Sequence, residues 1–571
     1  MPTNLISHCS SLLPVRSRQF FNTVMSLKPV QIRYRLWYVL RSGLKMQPGV
    51  GSKGGGLPAY KGIEGNTDFL RYDHFCSGER EKLRCSFLNE AAFFKKDIDW
   101  QVPEKGRLWR YNLHYFQYLL SESGLDAGVG LSLIRDWLKK NPVGTPDAWD
   151  PFPLSLRLVC WAKFLFVTAA PGDELSEITR SMVEQTRWLT RHLEYHLLGN
   201  HLFKNGKALV FMGTCFAGSE AERWLQKGLE IIGKELDEQI LDDGGHFERS
   251  PMYHSMILED CLDLINILEE GEYRETLVKK AGEMVAFLAA MCHPDGQISL
   301  FNDAAFGIEA EPAELFAYYT RLTGMDVRRP VGGGGVNALP DSGYFVLSQD
   351  KKNKMIIDCG PVGPEYQPGH AHCDTLSFEL SVKGKRVIVD SGCYQYVDGD
   401  IRRYNRGNIG HNTVTIDNQN QSEVWSAHRC GRKAQPVGVE WGETDGHFFF
   451  YGGHDGYKRL KGNPLHFRKV TQDDEGWLIH DTIQGQGIHA VESRLHVHPD
   501  MSVEVNGAEA VIRFREEVML TVHTQPGTGI DVERGWYCPE FGIKKVCDVL
   551  VSKFRKVKLP FEGGWWLRLE H

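Results

Sequence analysis

Two histidines one residue apart, His370 and His372, open the stretch GHAHCDTLSFEL at positions 369–380. In an extended chain, residues two apart share a face, so both imidazoles can converge on one point. A metal ion or a shared proton requires that convergence. Asp390 ends the strand-like part of the later run VIVDSG, and His411 directly precedes NTVTID. His372, Asp390 and His411 form a set suited to zinc or another divalent metal, with a position left open. One geometric reservation applies. A tight turn at Lys383-Gly384 would set Asp390 opposite a residue near Ser377, several positions from His372. Either the chain from His370 to Asp374 bends back, or Asp374 is the ligand instead.

The bulk numbers restrict the partners. The net charge of -7 argues against general nucleic-acid binding, so a polyanionic ligand needs a local basic patch. The 13 cysteines include no CxxC pair, which suits free thiols in a reducing compartment rather than a disulfide framework. No run is apolar enough to span a bilayer, so no transmembrane segment is expected. The first residues lack the features of a signal peptide, which reads as cytoplasmic. The segment FFNTVMSLKPVQIRYRLWYVLR is basic and amphipathic. Packing onto the body of the protein is its ordinary role, and contact with a membrane surface is the second reading.

The elements that must position these residues fall into two kinds. From about residue 105 to 325, apolar residues recur at three- and four-residue spacing, as in ELSEITRSMVEQTRWLTRHLEYHLL. Such helical hairpins must bury their stripes on one another, giving a layered or toroidal domain. Four glycines at 332–335 mark a boundary, and short β-like runs such as LSFELSV and RVIVDSG follow. The expected fold is α+β and multidomain. Residues 1–104 form a helical or irregular extension, 105–328 a helical domain and 329–571 an antiparallel β-sandwich or stacked-sheet domain.

Five ordered motifs carry a resemblance: GNHLFKNGKAL (199–209), DGGHFERSPMYH (243–254), GHAHCDTLSFEL, VIVDSGCYQY (387–396) and RRYNRGNIGHNT (402–413). With them the chain resembles the heparinase II/III-like polysaccharide lyases. The resemblance implies an N-terminal (α/α) toroid and zinc, in a structural role, on His372, Asp390 and His411. It also implies β-elimination at a uronic acid and an acidic polysaccharide as the partner, and by analogy a periplasmic or secreted location as the alternative. The chemistry needs donors that hold the carboxylate as charge develops, and a proton acceptor and donor near C5 and O4. Asn200 and His201 fill the first role. Tyr253 serves as base, acid or both, with His370 as the other proton-transfer group and Tyr404 as an additional donor.

Glu248 is expected to orient these groups. Arg402, Arg403 and Arg406 offer forked contacts to carboxylates or sulfates. Trp109, Asn112, His114, Trp149 and Arg157 are candidates to line a sugar groove. Asn302 and Asp303 read equally well as turn residues. A glycoside hydrolase, which needs two flanking carboxylic acids, and a catalytically silent glycan-binding or polysaccharide-assembly protein are the rival readings.

Overall fold

A computed structural model describes residues 15–43, 56–72, 76–79, 82–95, 97–121, 125–327, 335–525 and 528–570. Two helices, α1 (Val15–Met25) and α2 (Pro29–Gly43), come first. A small antiparallel sheet of Cys76–Ser77, Lys82–Phe87 and Glu90–Lys95 follows. Cys76 and Cys85 lie opposite each other in it and form a disulfide. The cysteine spacing gave no hint of that bridge, because an antiparallel register pairs residues irrespective of any CxxC pattern. The other described cysteines are free and buried.

The helical domain runs through α3 (Arg107–Tyr115), α4 (Ala127–Lys140), α5 (Pro151–Val167), α6 (Gly172–Leu189), α7 (Gly199–Cys215), α8 (Ser219–Gln239), α9 (Pro251–Ile267), α10 (Glu272–Met291) and α11 (Pro312–Thr323). Helices α5, α7 and α9 are inner helices, and α9 is buried along its whole length. A helix apolar on nearly every side must sit inside other structure. Ser250 and Pro251 fix its start: the Ser250 hydroxyl accepts from the Tyr253 N–H at 3.5 Å, and proline suits the first turn. A buried ion network joins the three inner helices. Lys163 reaches Asp263 at 2.6 Å, while Lys204 and Lys207 reach Asp260 at 2.8 and 2.7 Å. Removing one member would strand a buried charge, so the network holds α7 and α9 in register.

The glycine run proposed as a boundary lies outside the described residues except for Gly335, where the first strand starts. Strands β1 (Gly335–Leu339), β2 (Tyr344–Ser348), β3 (Lys354–Asp358), β4 (Phe378–Val382) and β5 (Lys385–Ile388) make an antiparallel meander. An eight-stranded sheet and a four-stranded sheet, drawn from residues 414–568, stack beyond it. Phe345, Met355, Phe378 and Leu380 share one core with Trp477, Ile479, Leu495 and Trp565.

The two halves meet through apolar and polar contacts. Phe287, Met291 and Phe301 pack on Tyr344, Val346 and Ile356. His293 Nε2 donates to the Glu379 carboxylate at 2.8 Å, and its Nδ1 meets the Ser381 hydroxyl at 2.7 Å, both on β4. These contacts fix the loops of the β domain over the ends of α7 and α9.

Candidate active site

A cavity of about 780 Å³ lies where the toroid, the β-domain loops and the α1–α2 pair meet. Asn200, His201, Tyr253, His370, Tyr394 and Tyr396 line it together.

Helix α7 delivers Asn200 and His201 from its first turn. Leu198 and Gly199 both have positive φ, +66° and +58°, and a Cβ on Gly199 would stand 2.2 Å from the Gln367 Oε1. Strain of this kind persists only where the surroundings enforce it, and it concentrates at functional sites. The buried Asn200 amide rests on Glu248, with Nδ2 at 3.0 and 3.2 Å from the carboxylate oxygens. One of its two N–H groups serves that contact, leaving the other free for a ligand. His201 Nδ1 bonds Glu194 at 3.0 Å. Burial disfavours its charged form, but Glu194 and then Glu248 outweigh that and raise the imidazole above its ordinary value.

Tyr253 packs against His370 with ring centroids 4.0 Å apart and planes tilted by 34°, and its hydroxyl meets that of Tyr396 at 2.9 Å. Burial holds the Tyr253 phenol well above its ordinary value, so it is protonated at rest. His370 Nδ1 bonds the Asp303 Oδ2 at 2.9 Å, and its Nε2 lies 3.7 Å from Glu248. With the proton on Nδ1, the Nε2 lone pair is free to accept another.

Asp303 is the hub. Its Oδ1 also bonds His372 Nε2 at 2.8 Å, and Arg402 clasps both oxygens, with Nη2 2.8 Å from Oδ2. Burial resists ionisation, yet Arg402, His370 and His372 hold this carboxyl well below the usual range. The two imidazoles of the HxH motif do converge, on one carboxylate.

A second cluster sits behind the first. His372, Asp374 and His411 place their ligand atoms within 4.8 Å of one another. His372 Nδ1 and His411 Nε2 are buried without a hydrogen-bond partner. Their other nitrogens are taken, His372 by Asp303 and His411 by Asp390 at 2.7 Å. Buried Asp358, Asp374 and Asp390 crowd together, and burial pushes all three upward, Asp390 to about 6. Two orphaned nitrogens beside an under-compensated carboxylate cluster fit a divalent cation. Of the two aspartates left open by the sequence, Asp374 is the one whose carboxylate lies with the His372 and His411 nitrogens, while Asp390 bonds His411 Nδ1.

The two halves of the site coincide with two family models. "Heparinase II/III N-terminus" matches residues 82–321, and "Heparinase II/III-like, C-terminal" matches 332–565. The chain belongs to the heparinase II/III-like family. A heparin-sulfate lyase of Bacteroides stercoris is 25% identical over 514 residues, covering 79% of this chain and 73% of the relative. An FtsZ-localized protein C of Caulobacter vibrioides is 28% identical over 296 residues, covering 50% of this chain and 48% of the relative. The fold is similar to that of a crystallised heparinase III, with a TM-score of 0.67 at 18% identity, covering 82% of this chain and 78% of that one.

Several residues expected at the site of this heparinase II/III-like chain lie elsewhere. Arg402 and Arg406 are buried: the first grips Asp303, and the second donates to the carbonyls of Ala371 and Ser426. Arg403 is exposed and paired with Asp398 and Asp400 away from the cavity. Tyr404 meets His496 at 3.0 Å and the Trp536 N–H at 3.1 Å, outside the lining. His114, Trp149 and Arg157 are core. Trp137 donates to His114 at 3.0 Å, Trp149 donates to the Asn141 carbonyl, and Arg157 bonds Gln185 beneath the Trp137 ring. Glu248 supports Asn200 from behind the wall, while Trp109 and Asn112 do line the cavity.

Sequence reasoning missed Asp303 as a hub, Tyr396, His428 and the cationic lining. Tyr396 sits inside the quoted VIVDSGCYQY motif, where its tyrosine pair was the available signal. The cations on the lining are Arg35, Arg107, Lys204 and Arg429. Arg107 is paired with Asp147 and Asp150, whereas among the described residues no carboxylate pairs with Arg35 or Arg429.

Proposed function

We propose that this chain cleaves a heparin- or heparan-sulfate-type polysaccharide by β-elimination, leaving a 4,5-unsaturated uronate end. The observation that carries the reading is the close-packed Tyr253–His370 pair, with Asn200 and His201 lining the same cavity. The uronate carboxylate rests against the free Asn200 N–H and the His201 imidazole, which stabilise the charge that grows as C5 loses its proton. His370 Nε2 takes that proton. The C4–C5 double bond forms, the C4–O4 bond breaks, and Tyr253 protonates the leaving O4. Glu248 stands beside Nε2 to stabilise the imidazolium. His370 then releases its proton to water and Tyr253 regains one from water, which restores the resting pair.

Arg35 and Arg429 supply the local positive charge that sulfates require in an acidic chain. His372, Asp374 and His411 would hold zinc, which, when bound, supplies fixed positive charge that compensates the buried aspartates and braces the 370–376 loop. The full set of proton-transfer groups weighs against a silent binding protein. A hydrolase needs a carboxylate pair at the scissile bond, and the acids nearest the reacting groups, Glu248 and Asp303, are committed to Asn200, His370 and Arg402.

The deciding experiment is near-ultraviolet absorbance on heparan sulfate, heparin, chondroitin sulfate, hyaluronan and alginate. Absorbance should rise with heparan sulfate or heparin. Chain shortening without absorbance would replace elimination with hydrolysis, and intact chains would reject the reading.

A further inference from the structure

The α1–α2 pair precedes both family-model matches, and its second helix is built inside out. Its protein-facing stripe is polar. Gln31 donates to the Leu197 carbonyl at 3.2 Å, Tyr38 to the Leu193 carbonyl at 2.6 Å and Arg41 to the Arg191 carbonyl at 2.8 Å. Tyr34, on the same stripe, packs against Tyr195 with centroids 4.8 Å apart. The opposite face carries Ile32, Leu36, Val39 and Leu40 at helical spacing, 39%, 60%, 71% and 59% exposed, beside Trp37 at 48%. A surface helix ordinarily buries such a stripe and shows its polar side to water. An exposed apolar patch of this kind marks a place where something else binds.

The charge says what. Residues 15–43 contain Arg16, Arg18, Lys28, Arg33, Arg35 and Arg41 and no acidic residue, in a chain of net charge -7. Of these, Arg16 and Arg33 are exposed, while Arg18 and Lys28 pair with Glu423 and Glu238. A second copy docked by two-fold symmetry would bring like charges face to face. An anionic lipid surface offers the complement to both features at once: apolar depth for the aliphatic stripe and negative head groups for the arginines. Trp37 has the amphipathic ring that settles at the boundary between them.

We propose that α2 is a docking face for an anionic membrane surface. Ile32, Leu36, Val39 and Leu40 enter the boundary between head groups and acyl chains, and Arg33 and Arg16 contact lipid phosphates. The inner side of the same helical pair lines the cavity with Thr23, Leu27 and Gln31, so docking leaves the cavity wall in place.

The test is co-sedimentation of the full chain with phosphatidylcholine vesicles, with and without phosphatidylglycerol. Binding is expected only to the anionic vesicles and should weaken as salt rises. The double variant Leu36→Glu, Leu40→Glu touches no cavity residue. It should lower vesicle partition by about tenfold or more while circular dichroism and turnover of soluble substrate stay unchanged. Arg33→Glu should weaken binding to anionic vesicles by about fivefold or more. No binding to either vesicle, or equal binding by the double variant, would overturn the proposal. A dimer seen by light scattering and dispersed by the double variant would also overturn it, assigning the face to a second copy.

Discussion

In the proposed elimination, Tyr253 and His370 divide one proton transfer between a phenol kept protonated by burial and an imidazole whose Nδ1 faces Asp303. Tyr253→Phe keeps the ring contact and deletes only the hydroxyl. Single-turnover kinetics should show kcat lowered about 10²- to 10⁴-fold, with the thermal midpoint nearly unchanged. The two aspartates near the metal ligands separate just as cleanly. Asp374→Asn should abolish metal retention measured by elemental analysis, whereas Asp390→Asn should keep the metal with affinity about 10- to 100-fold weaker. Equal loss in both variants would return Asp390 to the ligand set. At this scale the motifs disclosed the identities and not the targets. Arg402 does make the forked contact its chemistry suggests, but its carboxylate is Asp303 inside the protein rather than a sugar outside. Arg402 lies on the short helix Asp400–Arg406, and its burial depends on what packs over that helix, of which local spacing carries no trace.

Helix α7 shows how an element places a functional group. Its first turn needs positive φ at Leu198 and Gly199, which swings Asn200 onto Glu248. Gly199→Ala adds a Cβ in a backbone region costly to side chains by about 1–2 kcal/mol and pushes it onto Gln367. The variant should melt lower by differential scanning calorimetry and lose turnover more than substrate affinity, because the carboxylate donor moves. An unchanged kcat would show that this turn does not position Asn200. The helical periodicity and the alternating strands were legible because burial imposes them residue by residue. The α1–α2 face was half legible: its amphipathic pattern and its basic charge were visible, but periodicity cannot say which face looks inward. The disulfide depends on contacts distant in sequence and left no local sign, whereas the bend after His370 was one of two options that the spacing left open.

The whole molecule buries histidines in both halves. His114 and His254 in the toroid are held down to about 3 and about 4 by burial, as are His293 to about 4 and His496 to about 3. Between these values and the ordinary 6.5, the unfolded chain binds protons that the folded chain refuses, so stability falls as pH drops through that window. His201, raised by Glu194, works in the opposite direction. Urea midpoints should be lower at pH 5 than at pH 7, and His114→Gln should narrow that gap. Equal midpoints would show that these histidines titrate freely.

The shared carboxylate of Asp303 has a consequence for inhibition. It touches the imidazole that faces substrate and, through its other oxygen, the imidazole that faces the buried aspartates. With a cation at the proposed site, a chelator working from behind the wall would slacken the proposed base without ever competing for the sugar. The enzyme would then be silenced through its foundations, at any substrate concentration.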